Sequence, residues 1–449
     1  MKKVIVGHNT TKMEIGDLKN FSNFKRDALG ILINHLEDFI SAEITCYLYP
    51  IKQLKKQYNI VIEENPKRGV YQLDENNVII IPKVYHNKDI IARIAFSIKK
   101  PNVSIDKKIF NVLEGAISKN LSRAYIFGFR ETIQYFDDGL IEKVIANYFS
   151  KGYYNPSRII YLLNYFHKLR TTSFEGQFFS TGMILTRAGH AFGEKHNQNR
   201  SGKAHALISQ QELEGHSIER RFWFMVDGKQ SYFLCNRSMT ITHLFNLTAE
   251  KESEFNYINS LTLSKTLKGG DVLLRIESEK ELSVITSEGI EFIYQENKWK
   301  YRNYNYIEKL IKSNISFNES SYNHLIFYIL YCSKHGISSI IWIPEDLQDV
   351  NIILKTKNRL FRNDINVDNR DYSNLIIRFL SSDGATIIDS NGNICYYGCI
   401  ADLSKTKIKG VQGTGENAAG ALSCNGISIK ISQDGTIKLY LSPSCKIII

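Results

Sequence analysis

FLSSDGATIIDSNGNICYYGCIADLSK (379–405) and, after a short basic link, GVQGTGENAAGALSCNGISIKISQDGTIKLY (410–440) carry three punctuated pieces. Asp383-Gly384-Ala385 stands before an apolar run. Gly413-Thr414-Gly415-Glu416-Asn417 opens the small-residue stretch Ala418 to Leu422. Ser432-Gln433-Asp434-Gly435 joins two alternating runs. Asn391-Gly392 between the runs Thr386–Asp389 and Ile394–Tyr397 predicts a hairpin, because Asn-Gly accepts the positive φ that tight hairpin turns need. Ile427, Ile429 and Ile431 alternate with Ser428 and Lys430, which predicts a strand with one buried face. Asp434-Gly435 turns that strand into a second, Thr436 to Leu441. Backbone N–H groups of a glycine loop at a helix start form a natural phosphate seat. An acidic residue at a nearby strand edge suits Mg²⁺ or Mn²⁺. Taken singly, glycines serve turns more often than ligands.

Together the three pieces resemble the diadenylate cyclase domain, which carries D-G-A before a strand hairpin, then G-T-R-H-R-A-A, then S-E-E-T-G between two strands. D-G-A is intact at Asp383, Gly384 and Ala385. G-T and A-A are intact at Gly413, Thr414, Ala418 and Ala419. Ser432 matches the family serine, and Gln433-Asp434-Gly435 stands near the acidic turn. Upstream, Asn323 to Lys334 resembles the first helix, Gly336 to Glu345 the first core strand, and Asp364 to Phe379 the helix before D-G-A. The resemblance covers about the last 130 residues, roughly one domain.

The resemblance implies an α/β domain with a central mixed sheet flanked by helices. It implies a nucleotidyltransferase that condenses two ATP into cyclic di-AMP or a related cyclic dinucleotide, a second messenger, between two domains that meet face to face. ATP or another purine nucleotide is the expected ligand, Mg²⁺ or Mn²⁺ the cofactor and a homo-oligomer the expected assembly. By position, Asp383 and Glu416 are the catalytic candidates, and Asp383 and Asp434 the metal candidates. Gly384, Ala385, Cys399, Ile400, Gly413, Thr414, Gly415, Asn417 and Ser432 would line the nucleotide. The family's R-H-R is Gly415-Glu416-Asn417 here. That exchange removes cations where phosphate charge must be neutralised, and adds a carboxylate. The alternative is therefore an inactive nucleotide sensor of the same fold. A third arrangement would gather Glu416, Asp383 and Asp434 around metals. Asp383 could also simply cap its turn, and Glu416 could face solvent at a helix start.

The whole chain sets the frame. Its 449 residues are enough for two or three domains. The net charge of +11 would suit anionic ligands, but Lys and Arg are dispersed, which argues against a nucleic-acid partner. Met1 to Val6 is no export signal, and no run approaches the roughly 18 apolar residues of a membrane helix. The seven cysteines form no C-x-x-C pair; reduced thiols in a cytoplasmic protein are the expectation.

Residues 1–165 are read as a mostly helical, mixed α/β sensor region. Helices are expected over Asp27–Ile40, Lys107–Ser122, Tyr135–Phe149 and Tyr161–Leu169, with a strand at Val78–Pro82. Residues 166–300 are read as β-rich, either a sensor or a diverged cyclase-like copy. Strands are expected at Met183–Thr186, Arg221–Val226, Gln230–Leu234, Val272–Ile276, Leu282–Ile285 and Glu291–Tyr294, with Asp227-Gly228 as a hairpin turn. Gly189 to Ile218, with four histidines, is read as a polar loop; its spacing gives no metal pair. Thr286-Ser287-Glu288-Gly289-Ile290 echoes Ser381-Ser382-Asp383-Gly384-Ala385, a similarity that two turn-plus-strand patterns can share by coincidence. Residues 301–449 form the cyclase-like domain, opened by a connecting helix at Tyr306–Lys312.

Overall fold

The structure is a computed structural model. It describes residues 26–58, 69–100, 106–127, 139–150, 154–178, 180–187, 202–214, 218–247, 260–360, 365–405, 413–442 and 445–448. The fold is mixed α/β. By compactness the chain divides into Met1–Lys251 with Leu263–Asn303, and Glu252–Thr262 with Tyr304–Ile449.

The first unit begins with α1 (Arg26–Ile40), β1 (Glu43–Tyr47), α2 (Pro50–Tyr58), β2 (Val70–Gln72), β3 (Asn77–Ile80), β4 (Lys83–His86), β5 (Asp89–Arg93) and β6 (Ala95–Lys99). An antiparallel sheet of order β1-β6-β3-β2 stands beside the hairpin β4-β5. Helices α3 (Lys107–Phe127), α4 (Leu140–Ser150) and α5 (Pro156–Arg170) follow. The short hairpin β7 (Ser173–Phe174) and β8 (Gln177–Phe178) leads into β9 (Thr181–Leu185), β10 (Gly202–Glu212), α6 (Arg220–Trp223), β11 (Ser231–Cys235) and β12 (Thr240–Leu247). Then come α7 (Ser260–Thr266), whose first three residues are counted with the second unit, β13 (Val272–Ser278), β14 (Glu281–Thr286), β15 (Ile290–Gln295) and β16 (Lys298–Asn303). Strands β9 to β16 form one sheet of order β10-β12-β11-β9-β13-β14-β15-β16.

One apolar core runs from Leu29 to Tyr301 in this unit. Its polar anchor is Asp106, buried, which pairs with Lys100 at 3.0 Å and accepts from the Tyr301 hydroxyl at 2.8 Å and Asn303 Nδ2 at 3.0 Å. A buried carboxylate is tolerable because it is both paired and hydrogen-bonded.

Three expectations change here. Arg221–Val226 is not a strand: it holds the end of α6 and the turn after it. A short aromatic run does not by itself separate strand from buried helix. Trp223 is fully buried, and Phe222 stacks on Phe233 at 4.3 Å. Part of the polar segment forms β10, an exposed edge strand carrying His205. It has no buried face and so leaves no alternation to read. His190, His196 and His216 lie outside the described residues. The region before residue 100 holds more strands than the single one expected.

The second unit contains α8 (Tyr304–Asn314), α9 (Glu319–Lys334), β17 (Ser339–Pro344), α10 (Asp349–Ile353), β18 (Leu354–Arg359), α11 (Ser373–Leu380), β19 (Ala385–Ile388) and β20 (Ile394–Ala401). It ends with α12 (Thr414–Leu422), β21 (Gly426–Ile431), β22 (Ile437–Ser442) and β23 (Cys445–Ile448). The sheet order is β18-β20-β19-β17-β21-β22-β23. β17 and β19 are parallel, and the other neighbours are antiparallel. Both faces are covered. Ile341, Ile429, Ile431 and Leu439 pack with α9 and α11 residues such as Leu325, Ile329, Ile376 and Leu380. Ile340, Trp342, Ala385, Cys399 and Tyr440 pack with Ala419, Ala421 and Leu422 of α12. The small residues of α12 allow the helix to lie close on the sheet.

Candidate functional site

The register of the second sheet brings the sequence pieces to one end. Ala385 of β19 and Lys430 of β21 both pair with Ile340 of β17. Cys399 of β20 pairs with Ala385, and Lys438 of β22 pairs with Lys430. One row therefore runs Cys399, Ala385, Ile340, Lys430, Lys438, with all five side chains on the face that α12 covers. Asp383-Gly384 immediately precedes this row. Ser432 follows it by two residues. Ile400, about half exposed, lies one residue beyond Cys399 on β20.

Gly384 explains the local sequence. Its φ is +102°, and a Cβ there would stand 2.6 Å from the Cys399 carbonyl oxygen. Only glycine allows the D-G-A turn to press this closely on β20. Asp383 is left exposed at the edge, and its carboxylate makes no hydrogen bond or ion pair among the described residues.

Gly413 precedes α12 and accepts from the N–H groups of Glu416 at 2.9 Å and Asn417 at 3.0 Å. Thr414 is exposed; Gly415, Glu416 and Asn417 are half-buried in the first turn. Gly415 lies against Lys430: a Cβ on it would be 3.0 Å from Lys430 Cε and 3.3 Å from Nζ. Glu416 does not face solvent. It forms an ion pair with Lys438, and the Tyr440 hydroxyl approaches its second oxygen at 3.5 Å. Burial and then the Glu416 charge push the Tyr440 hydroxyl up. Lys430 is 8% exposed, with its ammonium donating to Ser338 Oγ at 2.6 Å. Burial first, then the neighbouring Lys438, lower its pKa below the ordinary lysine value, against the pull of Glu416.

Two lysines thus stand under the first turn of α12, where the helix dipole already favours negative charge. One carboxylate compensates them. The surplus charge and the N–H groups of Thr414 and Gly415, which have no described partner, have the character of an anion seat. These lysines take no part in the sequence argument, which assigns Lys430 to the solvent face of its strand. α12 covers that face, and the alternation of a single strand does not reveal a helix packed from elsewhere. The 432–435 turn fixes the pairing of 430 with 438, and that count was the available signal.

Glu416, Asp383 and Asp434 do not gather around a metal. Among the described residues no group of three or more His, Cys, Asp or Glu forms a metal cage. Asp434 accepts from the Thr436 N–H at 2.9 Å and so closes its own turn. Mg²⁺ is commonly held by one or two carboxylates together with substrate phosphates. Asp383, without a partner among the described residues, fits that donor set.

No family model matches the chain, and no curated protein matches it. Solved structures do. A hypothetical membrane spanning protein from Bacillus cereus is 18% identical, over 32% of this chain and 68% of that one, with a TM-score of 0.25. DacA from Staphylococcus aureus, as a double mutant, is 21% identical, over 32% of this chain and 88% of that one, with a TM-score of 0.22. Likeness at this level carries no functional assignment. Among the described residues no helix is long and apolar enough to cross a membrane.

Proposed function

We propose that residues 304–449 bind a purine nucleoside triphosphate and act as a diadenylate cyclase-like nucleotidyltransferase controlled by the preceding region. The carrying observation is the meeting of Asp383-Gly384-Ala385, the first turn of α12, Lys430, Lys438 and Ser432 at one end of one sheet. The triphosphate lies over the α12 turn, with Lys430 and Lys438 supplying the charge that the missing arginines would give. Ser432 and the N–H groups of Thr414 and Gly415 complete the seat, since those of Glu416 and Asn417 already donate to the Gly413 carbonyl. The backbone near Cys399 and Ile400 borders the base. Asp383 would hold Mg²⁺ or Mn²⁺, which when bound would lower the pKa of the attacking hydroxyl and spread charge at phosphorus.

In the reaction the 3′-hydroxyl oxygen of one ATP bonds to the α-phosphorus of the other. The bond from that phosphorus to the pyrophosphate oxygen breaks, and the hydroxyl proton passes toward Asp383 and solvent. Repeating the step in the opposite sense closes the ring and releases a second pyrophosphate. The protein's contribution is positioning and charge. The test is incubation of the full chain with ATP and Mn²⁺. Cyclic dinucleotide with pyrophosphate is the expected result, and Asp383→Asn abolishes it. No pyrophosphate from any purine nucleotide with either metal would refute the cyclase; binding without turnover would establish the sensor alternative.

Glu416 is a brake on the anion seat rather than a metal ligand. Its carboxylate competes with phosphate for Lys438. Glu416→Gln releases that lysine and is expected to tighten ATP about 5- to 10-fold, or roughly 1 kcal/mol. Calorimetry without turnover, in Ca²⁺, reads this; weaker binding in the variant would assign Glu416 to the metal instead.

The lowered Lys430 pKa gives a pH dependence with a definite sign. The charged form binds phosphate, so affinity holds below the folded-state pKa and falls as pH rises through it. ATP affinity therefore begins to fall below the ordinary lysine value of 10.5. Affinity constant to pH 10.5 would contradict it.

A further inference from the structure

The two large sheets have the same plan. Reading β9 to β15 against β17 to β23, the orders β10-β12-β11-β9-β13-β14-β15 and β18-β20-β19-β17-β21-β22-β23 correspond strand for strand. β9 is parallel to β11 as β17 is to β19, and β13 is antiparallel to β9 as β21 is to β17. The other four pairs are antiparallel in both. The helices correspond in chain order too: α5 and α9 before the first strand, α6 and α11 before the third, α7 and α12 between the fourth and fifth.

The equivalence reaches the site through strand register. α6 and α11 are each followed by Asp-Gly, at Asp227-Gly228 and Asp383-Gly384. Both glycines have positive φ, +63° and +102°, but they press on different strands: a Cβ on Gly228 would stand 2.4 Å from the Thr181 carbonyl oxygen of β9, whereas Gly384 presses on β20, so the two turns match in chain order and not in contact. The echo between 286–290 and 381–385 is not this equivalence, since 286–290 links β14 to β15. Lys430 pairs with Ile340, the second residue of β17; Arg275 pairs with Gly182, the second residue of β9. Lys438 opposite Lys430 corresponds to Ser283 opposite Arg275.

We infer that residues 156–295 are a second copy of the fold of residues 319–448, in which the equivalent of the anion seat is filled by the protein's own side chains. Arg275 is 1% exposed and pairs with Glu277 at 2.8 Å. The Glu281 and Glu291 charges also act on it, and Ser283 donates to Glu291 at 2.7 Å. The one cation there is paired with Glu277 and lies in the field of two further carboxylates, so its charge is compensated within the protein. Asp227 is turned back on its own loop, accepting through Oδ1 from the N–H groups of Lys229, Gln230 and Ser231 and from the Ser231 hydroxyl. Asp383 makes no such bonds. The consequence rests on the nucleotide reading of residues 304–449: one chain holds one nucleotide. A two-ATP reaction therefore needs two chains, and the middle copy does not supply the second substrate.

The test uses the full chain and 3′-deoxy-ATP with Mn²⁺, a probe that lacks the attacking hydroxyl. Equilibrium dialysis is expected to give one probe per chain. Lys430→Ala removes it and Asp227→Asn leaves it. Two probes per chain, or a site lost in Asp227→Asn, would overturn the inference. A second readout needs no ligand. Asp227→Ala lowers the unfolding midpoint by about 3 °C, through loss of its turn bonds, while Asp383→Ala leaves it in place. If no probe binds, the nucleotide reading fails. The filled copy then stands if Asp227→Ala lowers the midpoint, and falls if it does not.

Discussion

Lys430→Met is expected to weaken ATP binding by the full chain about 30- to 150-fold without lowering its unfolding midpoint. A hydrogen bond between charged partners contributes about 2–3 kcal/mol, which sets that range. The two readouts separate because Lys430 is a poor residue for stability where it stands. It is buried, beside Lys438 and under the positive end of a helix, with one serine as its described hydrogen-bond partner. Its pKa is lowered, so the folded state disfavours the charge that the unfolded chain carries freely. Below the folded-state pKa that penalty is fully present, and it is relieved only as pH rises toward the ordinary lysine value. Methionine keeps the length of the chain and removes the penalty. Calorimetry with ATP and thermal unfolding, both at pH 7.5, check the pair of outcomes. A variant that binds ATP like the parent would take Lys430 out of the seat. A variant that loses binding together with stability would make the lysine structural.

The second large effect concerns acid stability of the first unit. His167 on α5 lies edge-on against Tyr294 at 4.4 Å and Trp299 at 5.5 Å, and its Nε2 is buried without a described partner. Burial, and then the Arg170 charge, push its pKa down to about 4. A lowered folded-state pKa on a base means that the unfolded chain takes up the proton first. Stability is then fully present above about pH 6.5 and is lost as pH falls toward 4. Between pH 7.5 and 4.5 the loss from this group is about 2–3 kcal/mol. Carboxylates titrate in the same range, so the measurement is a difference. Urea unfolding of the parent and of His167→Phe at both pH values should show the variant losing about 2–3 kcal/mol less. Equal losses would mean that the imidazole is already solvated or protonated in the folded chain.

Much of the second sheet was legible in single segments. Asn391-Gly392 and Asp434-Gly435 mark their turns through glycine conformation, at φ +84° and +80°. The isoleucines at 427, 429 and 431 mark a strand through period-two burial. The polar edge strands β10 and β18 were not legible, because a strand with no buried face leaves no alternation. Arg221–Val226 was misread because a short aromatic run packs equally well in a helical turn.

What the sequence determined by itself is therefore local: turns whose φ demands glycine, strands whose faces alternate, and a D-G-A followed by a glycine loop and a serine turn. What only tertiary structure decided is which side chains share a site and what charge they carry together. The hairpin pairs Lys430 with Lys438, and only the packing of α12 on that face put both under a helix start. That contact turned Glu416 from a bare carboxylate facing phosphate into half of an ion pair. Strand order, likewise, revealed the second copy. Neighbours such as Ile340 and Lys430, or Ala385 and Ile340, are set by long-range pairing, and no short window of sequence contains both partners.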